Sequence, residues 1–507
     1  MKFNSEHLLP AAKALLVFAF GAALCGLLLK GAAYPVTAIE VLSLAAFLLL
    51  ASRAPAVLRV LTALVLAAYC LYFPVGLRYG IVSEGQIASA LATDPREASE
   101  FFGTFGALDF ASPVLLAAGL ALFYLFARRV RIFKSRKLFA LALVVAAAAA
   151  FQAKAFHPFT HAAKLTHRVV VERENLKHMD WTPAWKVLSA RPAYKNYVLV
   201  VGESERRDYM NAYGYPADDT PFMSRAPGIV YEGFTAEGDN TIPSLTRTLT
   251  LPDPKSLRPR YEYNLVDLAR EAGFSTAWFS NQGYVSPFDT PVTAVGARSE
   301  RSRWLKFGRD ASRNYFDYEL LPLVKSELDR DDPRPKLIVV HLIGSHDDIC
   351  ERVSDKLPRI SHVKDPAWKI PGCYLDTIRQ TDVVLERLRG LLADKGEPWS
   401  LLYFSDHGLT LAQRHGVMRL LHSPAGREHR DIPLFLTSSD AKEHRTVRGL
   451  RYGSSFLEGF MNWTGVSTRE IPSPRSLFLA PPDPPREDQE SLRRSRPDDP
   501  PADIQSH

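Results

Sequence analysis

Four short motifs each close an apolar run: VLVVGES ending at Ser204, GDNTIPS ending at Ser244, VVHLIGSH ending at His346, and LLYFSDHG ending at Gly408. They supply a carboxylate (Glu203), a hydroxyl (Thr241), an adjacent acid and imidazole (Asp406 and His407) and a further histidine, His346. A mixed oxygen and nitrogen set of this kind can hold a divalent metal ion against an activated threonine. Each residue alone has a plainer reading. Turn glutamates such as Glu203 are common, and Thr241, ahead of a helical-looking Leu245–Leu249, also suits a helix N-cap. That position is compatible with chemistry, because the helix dipole and free backbone N–H groups stabilise both an alkoxide and an incoming phosphate. His346 and His422 could each donate to phosphate oxygens or to a leaving group, and His415 and His429 compete with His422 for that role.

These motifs need elements to position them. Tyr197–Val201, Ser275–Phe279, Lys336–Leu342, Ser400–Phe404 and Pro433–Leu436 read as strands, and Leu265–Ala272 and Leu375–Leu392 as helices. Strands alternating with helices imply a mainly parallel sheet covered on both faces, with catalytic residues at the carboxyl ends of the strands. This α/β domain is expected over residues 196–470. The tail, 471–507, is rich in Pro, Arg, Asp and Glu and is expected to be disordered.

The first 155 residues differ in kind. Five apolar segments, roughly 10–30, 35–53, 57–78, 110–128 and 138–155, approach the ~20 residues a bilayer requires. The net charge of +7 is partly local: Arg128, Arg129, Arg131, Lys134, Arg136 and Lys137 form one basic cluster. Beside an apolar helix such a cluster marks a cytoplasmic loop rather than a nucleic-acid site, and Arg53 and Arg59 mark another. Glu84, Asp94, Glu97 and Glu100 place the intervening loop outside. Five spans then export everything after about residue 156. Residues 156–195 read as an amphipathic linker, with Trp181 and Trp185 suited to a membrane interface. Of the four cysteines, Cys25 and Cys70 lie in spans. Cys350 and Cys373 lie in the exported part, where an oxidising compartment allows them to pair.

At this point a resemblance becomes specific. GESERRDYMNAYGYPADDTPF (202–222), GDNTIPSLTRTLT (238–250), WFSNQ (278–282), HLIGSH (341–346), CYLDTIRQTD (373–382) and SDHG (405–408) resemble, in order, the motifs of phosphoethanolamine transferases of the Gram-negative envelope. These are members of the alkaline-phosphatase and sulfatase superfamily, and the likeness covers almost the whole chain. It implies a five-span α-helical transmembrane domain and a periplasmic α/β domain of sulfatase-like fold, in the bacterial inner membrane. It implies zinc, with manganese the second candidate, held by Glu203, Thr241, Asp406 and His407. It also implies substrate-side roles for Asn281, His346 and His422.

The implied reaction moves phosphoethanolamine from phosphatidylethanolamine, through Thr241, to lipopolysaccharide (lipid A or a core sugar) or another envelope glycan. A monomer surrounded by membrane lipids is expected, with no nucleic-acid partner. Two departures leave the acceptor open. Asp239 and Ile242 flank Thr241 where lipid A-modifying relatives often carry cysteines, and Asp347-Asp348 follows HLIGSH where glycine is usual. A phosphoglycerol transferase acting on a periplasmic glycan, and a non-catalytic membrane sensor with a decayed site, are the alternatives. Sulfate ester hydrolysis is excluded, because Thr241 cannot become formylglycine.

Overall fold

The computed structural model describes residues 5–34, 36–92, 95–103, 105–130, 133–284, 290–307, 314–414, 416–422 and 426–507. Asp94, Arg131 and His415 lie outside the described residues. The chain divides into two compact units, one of residues 1–87 with 101–169 and one of residues 88–100 with 170–507.

The first unit is helical. Helices Ser5–Gly31, Ala38–Ala51, Ala56–Tyr79, Ala107–Ala127 and Arg136–Gln152 cover the five apolar segments. Thr37 caps the second through a reciprocal pair with Glu40, and Ser135 caps the last. Leu28, Leu48, Leu120 and Phe123 pack inward, while Leu15, Leu61, Val114 and Val144 face outward. An apolar exterior around an apolar core suits hydrocarbon rather than water. Length and apolarity qualify three helices as spans by themselves: Ala12–Gly31, Ala56–Tyr79 and Ala107–Ala127. A fourth is reached if Arg136–Gln152 and His157–His178, bent by 64°, count as one. Ala38–Ala51, with 14 residues, rises only about 21 Å.

The second unit is built on eight strands, here β1 (Asn196–Gly202), β2 (Gly228–Thr235), β3 (Ser275–Tyr284), β4 (Arg301–Phe307), β5 (Lys336–His341), β6 (Trp399–Ser405), β7 (Leu434–Ser438) and β8 (His444–Tyr452). Their order is β8-β2-β7-β6-β1-β5-β3-β4. Every pairing is parallel except those of β7, which runs antiparallel to β2 and β6. The two antiparallel steps cancel, so β2 points the same way as β1. β1, β5 and β6 are buried throughout, as central strands covered on both faces must be. Leu199, Val201 and Phe404 serve one core and Val198, Val200 and Tyr403 the other, as strand alternation requires.

Two expectations need correction. Trp185 is not a membrane-interface residue: it is buried in the core of this unit, and its indole N–H donates to the Asn264 carbonyl at 3.0 Å. Trp181 packs partly against that same core. Nor is the tail disordered. It carries a helix, Glu487–Ser495, and its charges pair with buried charges of the domain. Arg206, wholly buried, binds Asp499 at 2.7 Å, and Asp483 binds buried Arg451 at 2.6 Å. Ion pairs fasten this segment together with apolar burial of Leu477, Phe478 and Ile504 in the cores of the domain.

Candidate active site

Glu203 and Asp406 leave the sheet side by side. Gly202 of β1 registers with Ser405 of β6, and the Asp406 N–H donates to the Gly202 carbonyl at 3.1 Å. The chain then turns sharply. Ser204 has φ 63°, a left-handed conformation disfavoured for serine. It is held by three contacts: its N–H to Asp406 Oδ1 (3.0 Å), its hydroxyl to Glu203 Oε1 (2.6 Å), and its carbonyl to the Tyr374 hydroxyl (2.9 Å). From the other side the HLIGSH turn closes over Glu203. Gly344 has φ +44°, and a Cβ there would lie 2.7 Å from the Glu203 carbonyl, so only glycine fits.

Thr241 begins the helix Thr241–Thr248, with Asn240 as its N-cap. It is thus the first helical residue rather than the cap. Its hydroxyl donates to Glu203 Oε2 at 3.0 Å and lies 3.5 Å from His407 Nε2. His407 Nδ1 lies 2.9 Å from the Gly408 carbonyl, which assigns the proton to Nδ1 and turns Nε2 toward the site. Nε2 stands 3.4 Å from both Glu203 Oε1 and Asp406 Oδ2. Asp406 Oδ1 accepts from the His407 N–H at 2.7 Å, but its buried Oδ2 has no hydrogen-bond partner.

This arrangement fits a cation. Glu203, Asp406 and His407 offer donor atoms all within 4.8 Å of one another, as do Glu203, His346 and His422. Two buried carboxylates cannot both stay charged at this distance without compensation. Burial and the Glu203 charge push Asp406 up to about 8. Burial opposes charge on His407, yet Asp406 and Glu203 push it up to about 9. Burial works against the Glu203 charge as well, but His407, His346 and His422 hold that carboxyl well below the usual range. The orphan Oδ2, the imidazole nitrogen and the crowded acids together make a hard-ligand site suited to a dication such as zinc.

The remaining expected residues fall in distinct places. His346 and His422 stand with ring centroids 5.8 Å apart, each with a buried Nδ1 lacking a hydrogen-bond partner. Burial pushes His422 down to about 4. Ser244 is turned away, its hydroxyl donating to the Asp406 carbonyl at 2.6 Å. Asn281 donates to the Tyr315 carbonyl and to Asp317 Oδ1, both at 2.9 Å, and Asp317 in turn accepts from the N–H groups of Ile343 and Gly344. It braces the histidine turn. Its neighbour Gln282 reaches the site instead, donating to Glu203 Oε2 at 3.3 Å and to the Leu342 carbonyl at 2.7 Å. Two further groups stand beside the site. His429 is stacked against His407 at 6.0 Å, and its Nε2 bonds the Asp239 carbonyl at 3.1 Å. Asp239, two positions before Thr241, is clamped by Arg430 and Arg496. Cys350 and Cys373 are bonded, with Cα atoms 5.1 Å apart.

Comparison with known proteins gives the family and the fold. Residues 195–466 match the family model described as Sulfatase. Phosphoethanolamine transferase OpgE of Escherichia coli K12 is 36% identical over 308 residues, 60% of this chain and 57% of that protein. A Haemophilus influenzae protein with a provisional phosphoethanolamine transferase name is 35% identical over 353 residues, 67% of this chain and 72% of its own length. Among solved structures, the integral membrane lipooligosaccharide phosphoethanolamine transferase A of Neisseria meningitidis superposes with a TM-score of 0.60 at 18% identity, over 90% of this chain and 96% of that one. At that identity the last match bears on the fold alone.

Proposed function

The chain belongs to the sulfatase family, and from that premise we propose that it is a membrane-anchored phosphoethanolamine transferase of the bacterial envelope. One observation carries the reading: the Thr241 hydroxyl, at a helix N-terminus, lies 3.0 Å from buried Glu203 and 3.5 Å from buried His407. The names of the two relatives above support the transferred group. Glu203, Thr241, Asp406 and His407 would hold a divalent ion, zinc before manganese. Such an ion would lower the pKa of the threonine hydroxyl and draw charge from the phosphoryl oxygens.

The residues divide the work. Glu203 Oε2 takes the hydroxyl proton along the 3.0 Å hydrogen bond as Thr241 Oγ1 becomes the nucleophile. N–H groups of the first helical turn stabilise equatorial oxygens. Thr241 Oγ1 attacks the phosphorus of phosphatidylethanolamine. The bond to the diacylglycerol oxygen breaks, and His346 gives that oxygen a proton, while His422 donates a hydrogen bond to a phosphoryl oxygen. Phosphoethanolamine is then esterified to Thr241. A hydroxyl or phosphate of lipid A, a core sugar or another envelope glycan displaces it in line and regenerates the threonine.

The helical unit would anchor this chemistry in the inner membrane with the catalytic domain in the periplasm. Ala38–Ala51 would complete a five-span topology. Cysteine-scanning tests that orientation: Ala90→Cys should react with an impermeant reagent in spheroplasts and Phe133→Cys should not. The reaction is tested by incubating full-length protein with phosphatidylethanolamine vesicles and mapping the adduct by mass spectrometry. A phosphoethanolamine adduct on the Thr241 peptide, lost in Thr241→Ala, is expected. An adduct formed only from phosphatidylglycerol would replace this reading with phosphoglycerol transfer. A Thr241→Ala protein that still turned over would end it.

A further inference from the structure

Resting on the phosphoethanolamine-transfer reading, we propose that Asp347 is the specificity-determining residue of this site and receives the primary ammonium of the ethanolamine head group. The groups already described serve the phosphate end of the donor. They do not distinguish ethanolamine from glycerol or choline, which differ only beyond the phosphodiester. Asp347 directly follows His346, and its Oδ1 stands 3.6 Å from His422 Nε2. Donor atoms of His422, His346 and Glu203 lie within 4.8 Å of one another, and Glu203 holds the Thr241 hydroxyl. The Asp347 carboxylate is therefore one imidazole away from the phosphate position.

Three properties suit it to an ammonium ion. First, its charge is uncompensated. Among the described residues its one ion-pair neighbour is His422, at 3.6 Å, and no arginine or lysine side chain pairs with it. Second, it is accessible, with 26% of its side chain exposed. Third, it is anchored. Its carbonyl accepts from Arg352 Nη2 at 3.1 Å, Asp348 beside it takes a left-handed turn at φ 60°, and Cys350, three positions on, is bonded to Cys373. A fixed carboxylate beside a phosphodiester repels it unless the ligand brings its own positive charge close by. Phosphatidylethanolamine does so with three N–H donors. Phosphatidylglycerol has no cation, and phosphatidylcholine has no N–H to give.

A competing role is to orient His422 as its hydrogen-bonded carboxylate. At 3.6 Å the contact is too long for that bond. The experiment separates the two. Full-length wild type, Asp347→Asn and Asp347→Glu are given phosphatidylethanolamine or phosphatidylglycerol in mixed vesicles, and diacylglycerol release is followed to obtain kcat and KM for each donor. Loss of one charge-assisted contact predicts that Asp347→Asn raises KM for phosphatidylethanolamine about 10- to 100-fold. Its kcat should stay within about threefold, the preference over phosphatidylglycerol should fall by the same factor, and Asp347→Glu should keep most of it. Should the asparagine variant fail to fold, O-phosphoethanolamine and glycerol 3-phosphate are compared as inhibitors of the wild type. Stronger inhibition by the former is expected, and equal inhibition overturns the inference. So does an equal fall in kcat for both donors, or an unchanged preference. A wild type that transfers nothing from phosphatidylethanolamine sinks the functional reading and this inference with it. The other adverse outcomes sink the inference alone.

Discussion

Arg496→Ala tests whether the tail holds the reactive loop in register. Asp239 lies two positions before Thr241. Its Oδ1 accepts from Arg430 Nε at 2.6 Å, and its Oδ2 accepts from Arg496 Nη2 at 3.1 Å. Burial opposes charge on Asp239, but the two arginines hold its carboxyl well below the usual range. Breaking a buried pair completely costs roughly 3–5 kcal/mol. Here Arg430 remains, so a loss of about 2 kcal/mol is expected, read from denaturant unfolding followed by tryptophan fluorescence. The larger effect should be on turnover. The backbone of 238–240 aims the Thr241 hydroxyl at Glu203, and a displacement of ~1 Å in a reacting group can cost ~100-fold. Diacylglycerol release should therefore show kcat lowered about 10- to 100-fold with KM for the donor nearly unchanged. Arg496→Lys should recover part of the loss, keeping the charge but not the planar fork. A variant that lost stability yet kept wild-type kcat would show that the clamp holds the tail and nothing more.

Three further outcomes are expected. Ser244→Ala should lose about 1 kcal/mol from its bond to the Asp406 carbonyl and keep most activity, whereas an adduct that disappears in this variant would point to the wrong hydroxyl. Burial pushes Asp219 up to about 8, above an unfolded value of ~3.9, so the native state binds the extra proton between those values and stability falls as pH rises through that window. Asp219→Asn should flatten the fall in Tm between about pH 4 and about pH 8, and an unchanged slope would refute the assignment. Cys350→Ser opens a bridge closing 23 positions and should cost about 3 kcal/mol while lowering activity through the Asp347 loop; full activity in this variant would detach the loop from the site.

The fold is legible where burial makes a strand apolar on both faces. β1, β5 and β6 read directly from Val, Leu and Ile runs. β4 and β8 are edge strands, and their sequences, RSRWLKF and HRTVRGLRY, carry basic residues that a solvated edge tolerates. No apolar pattern marks them. Nor does pattern report direction, so the antiparallel insertion of β7 appears only in the pairing. The tail misleads for a different reason. Composition averages over the segment, and this one is fastened at a few points, by the buried side chains of Leu477, Phe478 and Ile504 and by charge: Asp499 reaches Arg206 across 293 positions. Partners that distant leave no local trace.

The site divides in the same way. Glu203, His346, Asp406 and His407 stand out because each follows a readable strand, and parallel strands deliver their ends to one edge. The Asn281-Gln282 pair shows where that inference stops. Successive residues of a strand face opposite sides, so at most one of two neighbouring amides can reach Glu203. Sequence does not say which. Register with both neighbours decides: Ser280 pairs with His341 of β5, the strand shifts its register against β4 between Ser280 and Gly283, and the amide delivered to Glu203 is that of Gln282. Asn281, one residue earlier, is spent on Asp317, which holds the backbone of Ile343 and Gly344 and so the turn that carries His346. The two amides then act on different groups of one site, Gln282 on the carboxylate that faces the threonine and Asn281, through Asp317, on the turn that closes over it. Replacing Asn281 should loosen that turn before it affects any direct contact with substrate.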